Sequence, residues 1–265
     1  MKASIIQTFE KVKLHPSLVQ SVTNYVVMNN TANALLALGS SPIMAHAHEE
    51  MEEMSQIIDA LVINIGTLDA YWVESMEMAV AAAQKYGKPW ILDPVGAGAS
   101  SYRNETLKKL LEKKPTVIRG NASEIMALAK MSVKSKGVDS TNSSDEAVEG
   151  AKLLSNTYGS VVCISGAIDY IIDGDRLVSI ANGNPLMAKV TGMGCTATAV
   201  IGAFLGREND PYLATVTAMG IMGVAGDIAN EKAEGPGTLQ LYFYDALYEL
   251  TSDILMSKIK LEIYD

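Results

Sequence analysis

Ala60-Leu61-Val62-Ile63-Asn64-Ile65-Gly66-Thr67 and, after a helical stretch, Trp90-Ile91-Leu92-Asp93-Pro94-Val95-Gly96-Ala97-Gly98 decide the fold class of this chain. Each begins as a short apolar, partly β-branched run and ends in polar residues and glycine, while the residues between Asp69 and Tyr86 repeat apolar positions at helical spacing. Strand, helix and strand in that order need a crossover, which makes the two strands parallel. The same punctuation returns where Thr116 to Ile118 runs into Arg119-Gly120-Asn121, and a fourth run spans Val161 to Ile164. Further helices are expected between Ser144 and Tyr158, after Met193 and after Pro211. The expectation is an α/β fold, a mainly parallel sheet with helices on both faces. A hairpin is predicted where Tyr170 to Ile172 and Leu177 to Ile180 flank Asp173, Gly174 and Asp175. Ligands of such sheets bind at the carboxyl ends of the strands, so the glycine and polar clusters there mark the expected active edge.

Working outward, 265 residues suffice for one large α/β domain, and no low-complexity linker divides them; the polar stretch from Lys134 to Ser144 reads as a surface loop. One domain over residues 1–265 is expected. The hydrophobic share of 48% is broken into short runs, with no apolar stretch of about 20 residues to span a bilayer. The N-terminus carries Glu10, Lys11 and Lys13 and no apolar signal core, so a cytoplasmic enzyme is expected. Cys163 and Cys195 lack the spacing of a disulfide framework or zinc site. A net charge of −9 argues against nucleic acid or an anionic membrane as partner, because each needs a basic face. Any anionic ligand must then be held locally, by helix N-termini, a few basic side chains and a cation.

Three segments carry chemistry. Val190-Thr191-Gly192-Met193-Gly194-Cys195-Thr196-Ala197-Thr198-Ala199 reads as a glycine turn feeding a helix, where bare backbone N–H groups and the helix dipole stabilise an oxyanion. By itself it reads more readily as a tight turn with close helix packing. Asp93, at a strand's end before Pro94 and three small residues, offers a carboxylate for magnesium or simply caps its turn. Arg119-Gly120-Asn121-Ala122-Ser123-Glu124 offers a guanidinium to phosphate, with Asn121 and Glu124 facing one site or forming a capping box.

Together with Asn24, Thr31 to Gly39 and Ser41-Pro42-Ile43-Met44-Ala45, these ordered segments resemble the hydroxyethylthiazole kinase family, from about Pro16 to Gly235-Pro236-Gly237. The resemblance implies a ribokinase-like fold without a lid domain, ATP-dependent phosphorylation of 4-methyl-5-(2-hydroxyethyl)thiazole in thiamine salvage, and a homotrimer with sites between subunits. By position, Met44 and Gly192 resemble thiazole contacts, with Asn24, Gly66 and Thr67 beside them. Arg119, Ser165 and Gly194 resemble ATP contacts, and Asp93 and Glu124 the acidic pair that holds Mg2+. Cys195 resembles the family's residue at the position where related sugar kinases carry an aspartate base. A helix N-terminus there favours a thiolate; a small Cys that only packs is the other reading. Alternatives are a hydroxymethylpyrimidine kinase, a nucleotide-repair dehydratase on the same sheet, or a non-catalytic thiazole or nucleotide sensor. The Cys after Gly-Met-Gly argues against the first two, and the intact Asp93, Glu124 and Arg119 against the third.

Other conspicuous residues have ordinary expectations. Met51, Met54, Met76 and Met78 fall at helical spacings and are expected to fill core or interface gaps. His46 and His48, two apart, do not share a helical face and are expected in a solvated loop or helix start. Cys163 is expected in the core, and Tyr242 to Tyr248 on a packed C-terminal helix.

Overall fold

The computed structural model describes residues 1–132 and 143–264. Its strands are β1 (Leu18–Val22), β2 (Ser41–Ile43), β3 (Ala60–Asn64), β4 (Trp90–Asp93), β5 (Val117–Asn121), β6 (Val161–Ser165), β7 (Asp169–Asp173), β8 (Arg176–Ile180) and β9 (Leu261–Tyr264). The helices are α1 (Lys2–Leu14), α2 (Met28–Leu38), α3 (Met51–Ile57), α4 (Ala70–Lys85), α5 (Ser101–Glu112), α6 (Ala122–Ser132), α7 (Ser143–Tyr158), α8 (Met193–Leu205), α9 (Pro211–Asn230), α10 (Pro236–Glu249) and α11 (Ser252–Lys258). All described strands join one sheet in the order β2-β1-β3-β4-β5-β6-β7-β8-β9. Pairing is parallel from β2 through β6 and antiparallel from there to β9. No lid interrupts this arrangement among the described residues.

Strand side chains alternate faces, and here both faces are dry. Ala60, Val62, Ile91 and Val117 pack with α1, α2, α8, α9, α10 and α11. Leu61, Ile63, Leu92 and Ile118 pack beneath α3, α4, α5, α6 and α7. Full burial explains why β3 reads as a continuous apolar run instead of an alternating one. Each such side chain contributes on the order of 1.5 to 3 kcal/mol by leaving water. Local signals set the helix starts: Asp69 caps α4 by accepting from Trp72 N, and Asp210 caps α9 by accepting from Tyr212 N, with Pro211 in the first turn. α9 is long and apolar enough to cross a membrane, but 83% of that stretch is buried inside the protein, as a core helix.

Several expectations needed correction. Arg119, Gly120 and Asn121 form the end of β5, not a loop after it, because they continue the ladder opposite Cys163, Ile164 and Ser165 of β6. Asp173 pairs with Arg176, so the hairpin turn is Gly174-Asp175 alone, with Gly174 at φ +59°. Met51 and Met76 are core residues, whereas Met78 is exposed. The expected surface loop 134–144 lies outside the described residues up to 142, and its last two positions open α7. Cys163 is fully buried, and burial pushes its thiol pKa far up. On α10, Phe243 and Leu247 are buried and Tyr242 and Tyr244 pack against the core, while Tyr248 is exposed.

Candidate active site

Because β2, β1, β3, β4, β5 and β6 run parallel, their carboxyl ends form one edge, and the expected site residues fall along it in strand order. Met44 follows β2, Asn24 follows β1, and Gly66 and Thr67 follow β3. Asp93 ends β4, Arg119 lies near the end of β5 with Glu124 in the first turn of α6, and Ser165 ends β6. The residues resembling thiazole contacts thus occupy one half and those resembling ATP contacts the other. The N-terminus of α8 bridges the halves.

A chain of hydrogen bonds joins the centre. Asn24 Nδ2 lies 3.6 Å from Cys195 Sγ and donates to Asn64 Oδ1 at 2.8 Å. Asn64 Nδ2 donates to Asp93 Oδ2 at 2.7 Å, and Thr198 Oγ1 donates to the same oxygen at 2.8 Å. Asn64 Oδ1 also accepts from Gly66 N at 2.9 Å. Gly66 is required for close approach, since a Cβ there would sit 2.6 Å from Asn24 Nδ2. Thr67 Oγ1 accepts from Tyr25 N. Asp93 is 1% exposed; burial pushes its pKa up to about 6, against the pull of the Arg119 charge and the Thr198 hydroxyl.

The turn before α8 brings a cation against a helix N-terminus. Gly192 caps it with φ +78°, and a Cβ at Gly194 would lie 2.7 Å from Arg119 Nη1, so the guanidinium rests on the helix's first turn. Arg119 donates through Nη2 to Ser165 Oγ at 2.5 Å, while its buried Nε has no partner. A buried donor without a partner costs about 1 to 3 kcal/mol, which an arriving oxyanion would relieve. Glu124 accepts from Gly96 N through Oε1 and from Asn121 N through Oε2, both at 2.9 Å, while Asn121 Oδ1 accepts from Glu124 N. The capping box is therefore real, and the same carboxylate also fixes the loop after Asp93.

Burial first, then the Asp93 charge, push the Cys195 thiol up to about 11, outweighing the helix terminus. His46 lies half-buried in the irregular segment before a short 3-10 helix. Its ring packs on Trp72 at 4.1 Å, and Nδ1 donates to Met44 O at 3.2 Å; His48 opens a short 3-10 helix. Asn64, Thr198 and Trp72 were missed in the sequence. Asn64 had one signal, a polar last residue of an apolar strand beside the Asp93 strand; Trp72, whose indole donates to Thr23 O, had none. Asp169 was missed as well: its carboxylate accepts from Gly166 N at 2.9 Å, and burial pushes its pKa up to about 6.

Comparison with known proteins gives the same answer from sequence and from shape. The model of the hydroxyethylthiazole kinase family matches residues 9–253. Hydroxyethylthiazole kinases of Leptospira biflexa and Vibrio parahaemolyticus are 53% and 50% identical, over 96% and 98% of both chains. The solved hydroxyethylthiazole kinase of Pyrococcus horikoshii superposes with a TM-score of 0.93 at 40% identity over 100% of both chains. A ribokinase-like superfamily protein of Enterococcus faecalis, at 14% identity and a TM-score of 0.67 over 93% of this chain and 94% of its own, shares the fold alone.

Proposed function

Since the chain belongs to the hydroxyethylthiazole kinase family and phosphorylates the hydroxyl of 4-methyl-5-(2-hydroxyethyl)thiazole in thiamine salvage, we propose how its residues divide that work. The observation that carries the proposal is the Arg119 guanidinium lying on Gly194 with an unpartnered Nε, at the N-terminus of α8. There the γ-phosphate of ATP would meet backbone N–H groups, the helix dipole and a cation together. Ser165 orients Arg119. Asn24, Met44, Gly66, Thr67 and Gly192 hold the thiazole, with its hydroxyethyl arm toward Cys195.

The alcohol oxygen bonds to the γ-phosphorus as the bridging oxygen–phosphorus bond to ADP breaks, and the alcohol proton passes to solvent. The transition state is loose, so positioning and charge stabilisation matter more than a strong base. Cys195 stands in the base position as a thiol, accepting a hydrogen bond from the alcohol. Asp93 and Glu124 would hold magnesium largely through water. Glu124 already accepts from two backbone N–H groups, and among the described residues no third His, Cys, Asp or Glu joins them. That donor set fits an ion that keeps waters and takes phosphate oxygens; when bound, the ion neutralises phosphate charge.

Residues 1–265 would act as one cytoplasmic domain, assembled as a homotrimer. In support, Tyr25 and Val26 beside the site are exposed, as are Leu36 on α2 and Leu241 on the adjoining α10.

The test is ATP turnover coupled to detection of phosphorylated product, with the thiazole and the hydroxymethyl pyrimidine as rival substrates, with and without magnesium. Magnesium-dependent product from the thiazole alone is expected. Turnover of the pyrimidine alone would assign the chain to the other kinase, and binding without turnover would make it a sensor.

A further inference from the structure

We infer that Arg103 is a positioning residue for the reaction, tying the thiazole-side loop after β3 to the loop after β4 that leads from Asp93; the inference rests on the proposed division of the site. Arg103 lies in the first turn of α5, whose cap Ser100 accepts from its backbone N–H. Its Nη1 donates to Ile65 O at 2.6 Å and Val95 O at 2.8 Å, and its Nη2 donates to Gly66 O at 2.8 Å. One guanidinium therefore holds three carbonyls from two loops, and none of the three is a carboxylate. Its stem passes Gly96, where a Cβ would lie 3.5 Å from Cδ.

The loops it joins reach the chemistry on both sides. Gly66 N donates to Asn64, which donates to Asp93, and Gly96 N donates to Glu124. Arg103 touches neither the α8 turn nor Arg119 in these bonds, and two of its three acceptors, Ile65 O and Gly66 O, belong to the thiazole-side loop, so its larger effect should fall on the thiazole half. The planar fork aims donors from two separate nitrogens at the two loops; a lysine ammonium also has three donors, but on one nitrogen, and cannot reproduce that geometry.

The experiment compares Arg103→Lys and Arg103→Ala with the unsubstituted enzyme. Arg103→Lys keeps charge and stem, so it should fold. Its thiazole KM should rise on the order of tenfold, as for loss of one to two charge-assisted hydrogen bonds, with ATP KM within about twofold. Guanidinium ion at low millimolar concentration should restore part of the activity of Arg103→Ala without changing the unsubstituted enzyme. Amide exchange read by mass spectrometry should quicken in residues 65–67 and 95–98 together and stay unchanged in the first turn of α8. Unaltered exchange in both loops, or equal rises in both KM values with no guanidinium rescue, would overturn the inference. The exchange readout is independent of substrate, so failure of thiazole turnover in the unsubstituted enzyme would count against the proposed function alone.

Discussion

Cys195 illustrates how a residue's chemistry is set by its surroundings and not by its motif. A helix N-terminus lowers a thiol pKa, yet burial and the nearby Asp93 charge raise this one to about 11. A weak proton acceptor suffices for a loose phosphoryl transfer. Cys195→Asp should accordingly retain or raise turnover, and Cys195→Ala should lower kcat by about tenfold, the worth of one hydrogen bond to the alcohol; unchanged kcat in the alanine variant would remove Cys195 from proton handling. Asp169 gives a stability prediction. Its folded pKa, about 6, lies above the ordinary carboxylate value of 3.8, so the folded state binds the proton more tightly. Its contribution is fully present below pH 3.8 and is lost as pH rises through about 6. Asp169→Asn, which can still accept from Gly166 N, should raise stability at pH 7.5 by on the order of 1 to 3 kcal/mol and by much less at pH 4. Thermal melts at the two values check the sign.

At the scale of elements, α8 supplies the anion turn, but α9 sets where that turn lies. Gly223 and Gly226 on α9 let the segment before the turn approach: a Cβ at Gly223 would sit 2.6 Å from Asn182 Cβ and 2.9 Å from its backbone carbonyl, and one at Gly226 would meet Met187. Asn182 is further fixed by donating to Asp227 and Lys258 O. Backbone cannot yield as a side chain can, so Gly223→Ala should destabilise by about 2 to 3 kcal/mol. It should also weaken thiazole more than ATP, because the displaced segment leads toward Thr191 and Gly192, which the proposal sets against the thiazole. Denaturant midpoints and the two KM values measure both effects.

For the whole molecule, the question is whether one subunit's edge is a complete site. Leu36 and Leu241 are 58% and 60% exposed, on helices that pack together beside Tyr25 and Val26. Light scattering should give a trimer's mass, and Leu241→Glu should shift it toward monomer while lowering turnover, since a charge in an apolar interface costs several kcal/mol unless paired. A monomeric, fully active Leu241→Glu enzyme would show that each chain works alone.

The sequence by itself determined the parallel sheet, the α8 turn, Asp93 at a strand's end and Glu124 at a helix start. Runs such as Ala60 to Ile65, their glycine endings and the intervening helical period are local signals that need no partner to be read. It did not determine β1, the three-residue β2 or the exposed β9, which are too short or too polar to stand out and become strands only by pairing with neighbours. Nor did it determine that Asn64 would link Asn24 to Asp93, that Arg119 would lie on Gly194, or that Cys195 would stay a thiol. Those depend on distances between residues far apart in the chain, from 29 positions for Asn64 and Asp93 to 105 for Asp93 and Thr198, and on the burial those distances create. Hydrogen bonding and charge are set by packing in three dimensions, so only the tertiary structure decided them.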